Sequence, residues 1–307
     1  MTMNFKHRDI LAIHEFTKDE ILHILNHTEN LKSHPRKNLL NRYILGSCFY
    51  EPSTRTRLSF ESAMHRLGGK VIGFSSAAQT STAKGESLRD SMKMLEGYAD
   101  VVVLRHPLDG AARLAADAID IPVVNAGDGA NQHPTQTFLD LFSIRESQGT
   151  LEDLHIAFVG DLKYGRTVHS LAEALVHFNT RLYFVSPSML EMPENVCELL
   201  RSRGIKFSFH QYLEEILPKV DITYMTRIQE ERFSQKLEFE EVRNPFRLSL
   251  KHLKRAKPNM KVFHPLPRVN EIDSLVDDTP HAYYFQQAQN GLFTRQAILG
   301  LVLGELS

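Results

Sequence analysis

The sequence has few cysteines and no marked excess of charge of either sign. Its 307 residues include only two cysteines, Cys48 and Cys197, which lie far apart and show no metal-ligand spacing. We therefore expect neither a disulfide framework nor a zinc site, and we expect the protein to reside in a reducing compartment. Lys and Arg number 36 against 37 Asp and Glu, a net charge of −1. This balance argues against nucleic acid and anionic lipid as partners, so any anion-binding chemistry must be local.

Long apolar runs are also missing. The N-terminal residues Met1 to Asp9 lack the apolar core of a secretory signal, and runs such as Val101 to Leu104 are too short to span a bilayer. None of the fifteen histidines begins an HExxH motif or has a cluster of carboxylates beside it. We therefore expect a cytoplasmic protein with no membrane segment and no metal site.

Short runs of β-branched and aromatic residues alternate with amphipathic stretches along the chain, which is typical of βαβ units. A capping box at Thr17 and Glu20 predicts the first helix. Strands are predicted near residues 43–50, 70–74, 100–104, 122–125, 154–160, 181–186, 205–209, 220–226 and 260–264. Further helices are predicted near residues 54–67, 87–98, 109–117, 135–146, 166–178, 193–203, 211–217 and 291–304. This order predicts an α/β fold with two doubly wound parallel sheets.

The length and the hydrophobic fraction of 42% are enough for two domains. We predict a first domain over residues 1–133 and a second over residues 134–286. The C-terminal helix, within residues 287–307, has no strand after it and is expected to pack back on the first domain. Ligands of open α/β sheets bind at the carboxyl ends of the strands. We therefore expect the active site at those ends, between the two domains.

The richest group of polar side chains follows the first predicted strand. The sequence Ser53-Thr54-Arg55-Thr56-Arg57 opens a helix there, so three hydroxyl and two guanidinium groups surround one helix N-terminus. Free backbone N–H groups, hydroxyl donors and the planar fork of arginine together suit a phosphate. The simpler interpretation makes Ser53 a plain N-cap with solvated arginines beside it. The number of donors favours the phosphate site.

Four more strand ends carry cationic or polar residues. They are Arg105 with His106 and Pro107, Gly160-Asp161 with Arg166, Arg227 with Gln229, and the run His264 to Arg268. One such arginine would most simply be solvated, but this interpretation does not explain the whole set. His133 and Gln136 lie one turn apart at a helix start and face the same way. A lone histidine at such a position is more often structural.

Gly160 to Thr167 offers a rival function, because it matches the P-loop pattern GxxxxGKT except that Arg166 replaces the lysine. A nucleotide-binding hydrolase is therefore the alternative enzyme class. Against it, the lysine that reaches the β and γ phosphates is missing, and the richest phosphate site lies at Ser53. A third class, a non-catalytic anion-binding module, would need fewer convergent polar groups than this sequence has.

With these residues assembled, the sequence resembles the aspartate and ornithine carbamoyltransferase family over nearly the whole chain. The run Ser53 to Arg57 is similar to the family's carbamoyl-phosphate signature. The stretch Ser81 to Ser87 with Lys84, the turn at Arg105 and the run Asn131 to Gln136 resemble the family in the same order. The run His264 to Arg268 favours the aspartate branch, because ornithine enzymes carry a cysteine after this histidine. Arg166 and Arg227 agree, since a dicarboxylate needs two cationic clamps.

The resemblance implies a role for each of these residues. Carbamoyl phosphate is expected to bind through Ser53, Thr54, Arg55 and Thr56, with Ser81 and Lys84 supplied by the loop before the next helix. Thr56, Arg105 and His133 are expected to donate to the carbonyl oxygen, and Gln136 to hold the carbamoyl amide. L-aspartate is expected to bind through Arg166, Arg227 and Gln229, with its amine on backbone carbonyls near Leu266 and Pro267.

The resemblance also implies how the enzyme is assembled. No cofactor is expected. No protein nucleophile or dedicated base is needed either, because the departing phosphate is basic enough to collect the proton of the amine. Members of the family form homotrimers in which the loop carrying Lys84 reaches the active site of the neighbouring subunit. Some members also join separate regulatory chains, and the sequence does not decide between these assemblies.

Overall fold

The computed structural model describes residues 3–228 and 246–307. The chain divides into two compact units, Met1–Phe142 with Gln289–Ser307 and Ser143–Ala288. Each unit contains its own parallel sheet. Within the described ranges, no helix is long and apolar enough to cross a membrane.

The first unit is built on four parallel strands in the order β2-β1-β3-β4. They are β1 (Ile44–Phe49), β2 (Lys70–Phe74), β3 (Val101–His106) and β4 (Val123–Asp128). Four helices accompany them: α1 (Lys18–Ser33), α2 (Thr54–Arg66), α3 (Leu88–Glu96) and α4 (Ala111–Ala116). The predicted capping box at Thr17 and Glu20 is confirmed. The four residues Val101 to Leu104 are fully buried, as expected for a central parallel strand.

The second unit has five parallel strands in the order β7-β6-β5-β8-β9. They are β5 (His155–Val159), β6 (Arg181–Val185), β7 (Lys206–His210), β8 (Ile222–Met225) and β9 (Lys261–Phe263). The helices from the end of the first unit onward are α5 (Pro134–Gln148), α6 (Arg166–Leu175), α7 (Glu194–Ser202), α8 (Leu250–Leu253) and α9 (Tyr284–Val302). The fold prediction of two parallel α/β sheets is therefore confirmed.

Two helix predictions differ from the structure. Residues 211–217 form only a 3₁₀ turn, Leu213–Glu215, instead of the predicted helix. The segment is too short to repay helix nucleation, and Pro218 follows it. The last helix begins at Tyr284 and not near residue 291. Its first turns include the buried side chains of Tyr284 and Gln287, so the aliphatic pattern did not mark them.

The order of the strands reverses once in each sheet. In the first sheet the reversal lies between β1 and β3, and in the second sheet it lies between β5 and β8. Loops that leave neighbouring strands in opposite directions open a crevice at such a reversal, where α/β proteins bind their ligands. These two crevices are therefore the places to look for a site.

Candidate active site

The end of β1 carries the predicted phosphate site. Ser53 is the N-cap of α2, yet its side chain makes no capping hydrogen bond. Its hydroxyl therefore does not serve as the plain N-cap of the simpler interpretation. Thr54 is exposed, while Thr56 is buried with 8% of its surface exposed. The helix thus presents uncapped N–H groups and hydroxyl donors to an anion.

Two arginines carry positive charge toward the same region. Partial burial and the nearby guanidinium of Arg105 lower the pKa of Arg55. Burial also lowers the pKa of Arg105, although Glu51 opposes this shift. Two cations that repel each other beside a helix N-terminus are stabilised when an anion binds between them. This electrostatic arrangement is what a phosphate site requires.

Arg105, at the end of β3, is held on two sides. Its Nη1 donates to the carbonyl oxygen of Ala126 at 3.1 Å, and its Nη2 pairs with Glu51 at 2.6 Å. Its Nε–H is buried and has no hydrogen-bond partner among the described residues. A buried donor without a partner costs roughly 1–3 kcal/mol. A ligand oxygen would remove that cost.

The loop between β4 and α5 is organised by Asp128, which the sequence did not single out. One carboxylate oxygen accepts from the Gln132 N–H at 3.1 Å and from Asn125 Nδ2 at 2.8 Å. The other accepts from the Gly110 N–H at 2.9 Å and from Asn131 Nδ2 at 3.0 Å. These bonds fix the loop immediately before the buried His133. The sequence signal that could have identified Asp128 was an acidic residue directly at the end of a predicted strand.

The two predicted loop residues, Ser81 and Lys84, lie on the 3₁₀ turn Ser81–Lys84. Both side chains are exposed. The turn ends at Gly85 with a positive φ of 93°. The Lys84 side chain makes no hydrogen bond or ion pair with any residue that the structure describes. Its ammonium group is thus available to bind an anion.

A pocket of about 190 Å³ lies at the reversal point of the second sheet. It brings together the strand ends that follow β5, β8 and β9, and its lining includes Arg227, Leu266 and Pro267. Thr167 and Gly165, the neighbours of Arg166, also line it. The pocket thus brings together residues from three of the strand ends that the sequence singled out, although Arg166 itself does not line it. Gln229 lies outside the described residues.

The loop after β5 is folded too tightly to be a P-loop. Gly160 has a φ of 111°, and a Cβ atom there would lie 2.5 Å from the Thr226 carbonyl oxygen. The buried Asp161 carboxylate accepts from the Tyr164 N–H at 3.0 Å. A P-loop would offer such N–H groups to a phosphate, and a carboxylate in their place repels one. This arrangement argues against the nucleotide-binding alternative.

The pocket wall at Leu266 is held by a buried histidine and glutamate. His264 Nδ1 accepts from the Leu266 N–H at 2.8 Å, while Nε2 lies 2.7 Å from Glu271. The other carboxylate oxygen of Glu271 accepts from the Val269 and Asn270 N–H groups at 3.1 and 3.0 Å. Burial alone would raise the pKa of Glu271, but these hydrogen bonds lower it overall. Leu266 is thereby held at a φ of 57°, unusual for a residue with a side chain.

Comparison with known proteins agrees with this geometry. Residues 8–146 match the carbamoyl-P binding domain of aspartate/ornithine carbamoyltransferases, and residues 152–302 match the Asp/Orn binding domain. The chain is 55% identical to the aspartate carbamoyltransferase catalytic subunit of Chromobacterium violaceum, over 97% of this chain and 98% of that one. It is 52% identical to the protein of that name from Thermococcus onnurineus, over 99% of each chain.

Solved structures give the same result. The catalytic subunit of M. jannaschii aspartate transcarbamoylase is 46% identical with a TM-score of 0.91, over 97% of this chain and 98% of that one. Aspartate transcarbamoylase from Trypanosoma cruzi, solved with N-(phosphonacetyl)-L-aspartic acid, is 37% identical with a TM-score of 0.91, over 97% of each chain. The same protein solved with carbamoyl phosphate and aspartate is 36% identical, with a TM-score of 0.90 over 97% and 96% of the two chains. The chain belongs to the aspartate/ornithine carbamoyltransferase family.

Proposed function

We propose that this chain transfers the carbamoyl group of carbamoyl phosphate to the amine of L-aspartate. The products are N-carbamoyl-L-aspartate and phosphate, a step of pyrimidine biosynthesis. One observation carries the choice of aspartate: Arg227 lines the pocket together with Leu266 and Pro267. A guanidinium there attracts a carboxylate and repels the ammonium of ornithine. The names of the relatives, which cover nearly the whole chain, support the same reaction.

The first unit binds carbamoyl phosphate in this proposal. The phosphate lies on the N-terminus of α2, where Ser53, Thr54, Arg55 and Thr56 donate to it. Ser81 and Lys84 add donors from their loop. The carbonyl oxygen accepts from Thr56, from His133 and from Arg105, whose buried Nε–H lacks a partner within residues 3–228 and 246–307. Donors fixed in advance around a developing oxyanion each typically contribute about 10²–10³ in rate.

The second unit binds aspartate. Arg166, Arg227 and Gln229 hold its carboxylates, and the backbone carbonyls of Leu266 and Pro267 accept from its amine. The neutral amine attacks the carbamoyl carbon, so that a C–N bond forms and the C–O bond to phosphate breaks. The departing phosphate takes the proton that the amine loses. The protein therefore acts chiefly by positioning, which in favourable cases is worth effective molarities of ~10⁵ M or more.

We further propose that the enzyme is a cytoplasmic homotrimer with active sites shared between subunits. The exposed Lys84, which has no partner in the described residues, supports a contribution to a neighbouring subunit. Both cysteines are buried and free, in keeping with a reducing compartment. A separate regulatory chain is a further candidate partner.

The reaction class can be tested in buffer stripped of divalent cations. The purified chain should release phosphate from carbamoyl phosphate only when aspartate is present, and a strong chelator should not slow this release. ATP should not be hydrolysed under the same conditions. Strict dependence on Mg²⁺, or ATP hydrolysis at a comparable rate, would instead support the nucleotide-binding alternative.

A further inference from the structure

Gln136 has a buried partner one turn further along α5. Its Nε2 donates to Oδ1 of Asp140 at 2.9 Å, and Asp140 is 0% exposed. No other side-chain hydrogen bond of Gln136 occurs within the described ranges, so its Oε1 stays open as an acceptor. The side chain as a whole is only partly buried. The hydrogen bond to Asp140, which solvent does not reach, therefore fixes the orientation of the Gln136 amide.

A buried cation, Arg295, interacts electrostatically with Asp140. Arg295, on α9, is 3% exposed, and its Nη1 donates to Ser59 Oγ at 2.7 Å. Its guanidinium also lies over the ring of Phe60, 4.9 Å from the centroid. Burial lowers the pKa of Arg295 to about 10, and the charge of Asp140 opposes this shift. Arg295 is therefore protonated at neutral pH and needs a nearby anion, which Asp140 supplies.

A glycine on α9 leaves space for the Arg295 guanidinium. Gly291 lies one turn before Arg295 on α9, and a Cβ atom at Gly291 would come within 2.6 Å of Arg295 Nη1. A side chain there would displace the guanidinium. The surroundings of Asp140 thus depend on a glycine and an arginine that lie far from it in the sequence.

The Asp140 carboxyl oxygen Oδ1 accepts the hydrogen bond from Gln136 Nε2. The NH₂ of Gln136 must therefore face Asp140, and its carbonyl oxygen must face outward. We propose that Asp140 is a positioning residue that makes Gln136 an acceptor, and so selects acyl phosphates whose acyl group carries an NH₂ donor. This proposal rests on the proposed function, in which Gln136 meets the carbamoyl amide. It adds the origin of the preference for a carbamoyl over an acetyl group.

The competing interpretation gives Asp140 and Arg295 a purely structural role between helices. Both interpretations predict lower stability when either charge is removed, so stability does not separate them. The two interpretations differ in the preference that they predict between carbamoyl phosphate and acetyl phosphate. Acetyl phosphate is the useful probe, because a methyl group replaces the NH₂ and cannot donate to Gln136.

The experiment compares the dissociation constants of freshly prepared carbamoyl phosphate and acetyl phosphate by calorimetry. The full-length variants are Asp140→Asn and Arg295→Lys. In Asp140→Asn, the amide of residue 140 can donate or accept a hydrogen bond. The Gln136 amide can therefore flip, so that its oxygen and its NH₂ group exchange positions. Arg295→Lys keeps the positive charge beside Asp140 and serves as the matched control. The double variant Asp140→Asn/Arg295→Met removes both charges, which avoids an unpaired buried charge if Asp140→Asn alone does not fold.

In the wild-type protein carbamoyl phosphate should bind more tightly than acetyl phosphate. This preference should fall about three- to tenfold in Asp140→Asn and in the double variant, the worth of one neutral hydrogen bond. Arg295→Lys should keep it, despite a lower melting temperature. An unchanged preference in both Asn-containing variants, or an equal loss in Arg295→Lys, would overturn the role of Asp140. Failure of the wild-type chain to form carbamoyl-aspartate is a separate result that would contradict the proposed function itself.

Discussion

Enzyme in which every subunit carries Arg55→Ala, and enzyme in which every subunit carries Lys84→Ala, should each be nearly inactive. Arg55 lies at the N-terminus of α2, where its pKa is lowered by partial burial and by Arg105. The loss of Arg55 removes one of two cations, Arg55 and Lys84, that are expected to neutralise the phosphate. Lys84 is exposed and unpaired among the described residues, so it is free to supply a charge to another subunit. Losing one such donor should lower kcat by about 10²–10³.

Mixing the two inactive enzymes under subunit exchange should restore activity. In every mixed trimer, one interface takes Arg55 from one subunit and Lys84 from the next, which gives one intact site out of three. An equal mixture should therefore recover about a quarter of the wild-type rate. Lys93→Ala is the matched control, because Lys93 is an exposed lysine that pairs with Glu96 on its own helix. If exchange restores no activity while wild-type enzyme survives the same treatment, Lys84 does not act between subunits.

Arg227→Ala should weaken the use of aspartate far more than the binding of carbamoyl phosphate. The Arg227 side chain lines the pocket at the end of β8, and charge-assisted hydrogen bonds to a carboxylate are worth about 1.5–3 kcal/mol. The KM for aspartate should rise roughly 10- to 100-fold. Steady-state kinetics with each substrate varied in turn would measure both effects.

The control for Arg227 is a surface arginine of the same unit. Arg201 pairs with Glu194 on α7, and both side chains are more than half exposed. Arg201→Ala should leave both KM values unchanged, because exposed ion pairs contribute little. If Arg227→Ala behaves as Arg201→Ala does, Arg227 has no part in binding aspartate.

The strand ends that form the candidate site could be identified from the sequence, because polar residues directly follow apolar runs there. Strands β3 and β5 contain the continuous apolar runs Val101 to Leu104 and Ile156 to Val159, and the polar residues that follow each run are visible at once. The run Ser53 to Arg57 is contiguous in the sequence, so the helix N-terminus that it forms could be predicted without knowledge of the tertiary fold. The i, i+4 spacing of Gln136 and Asp140 was visible as well, but the sequence alone gave no reason to select it.

The remaining features depend on distant parts of the chain. Strand order is one of them, since no local pattern places β3 beside β1 or β8 beside β5. The pairing of Arg105 with Glu51 and the partnership of Asp140 with Arg295 follow from that order and from helix packing. Asp128 and Glu271 were missed for a related reason. Each acts by accepting several N–H groups within a loop, and such loop geometry has no sequence period.

The most direct test of the account is a competition between two amino acids for one carbamoyl donor. The purified chain is incubated with carbamoyl phosphate and equal concentrations of L-aspartate and L-ornithine, and both carbamoyl products are separated and quantified. Arg227 in the pocket predicts that N-carbamoyl-L-aspartate forms almost alone, because the ammonium of ornithine is repelled. Predominant formation of carbamoyl-ornithine, or of neither product, would contradict the account.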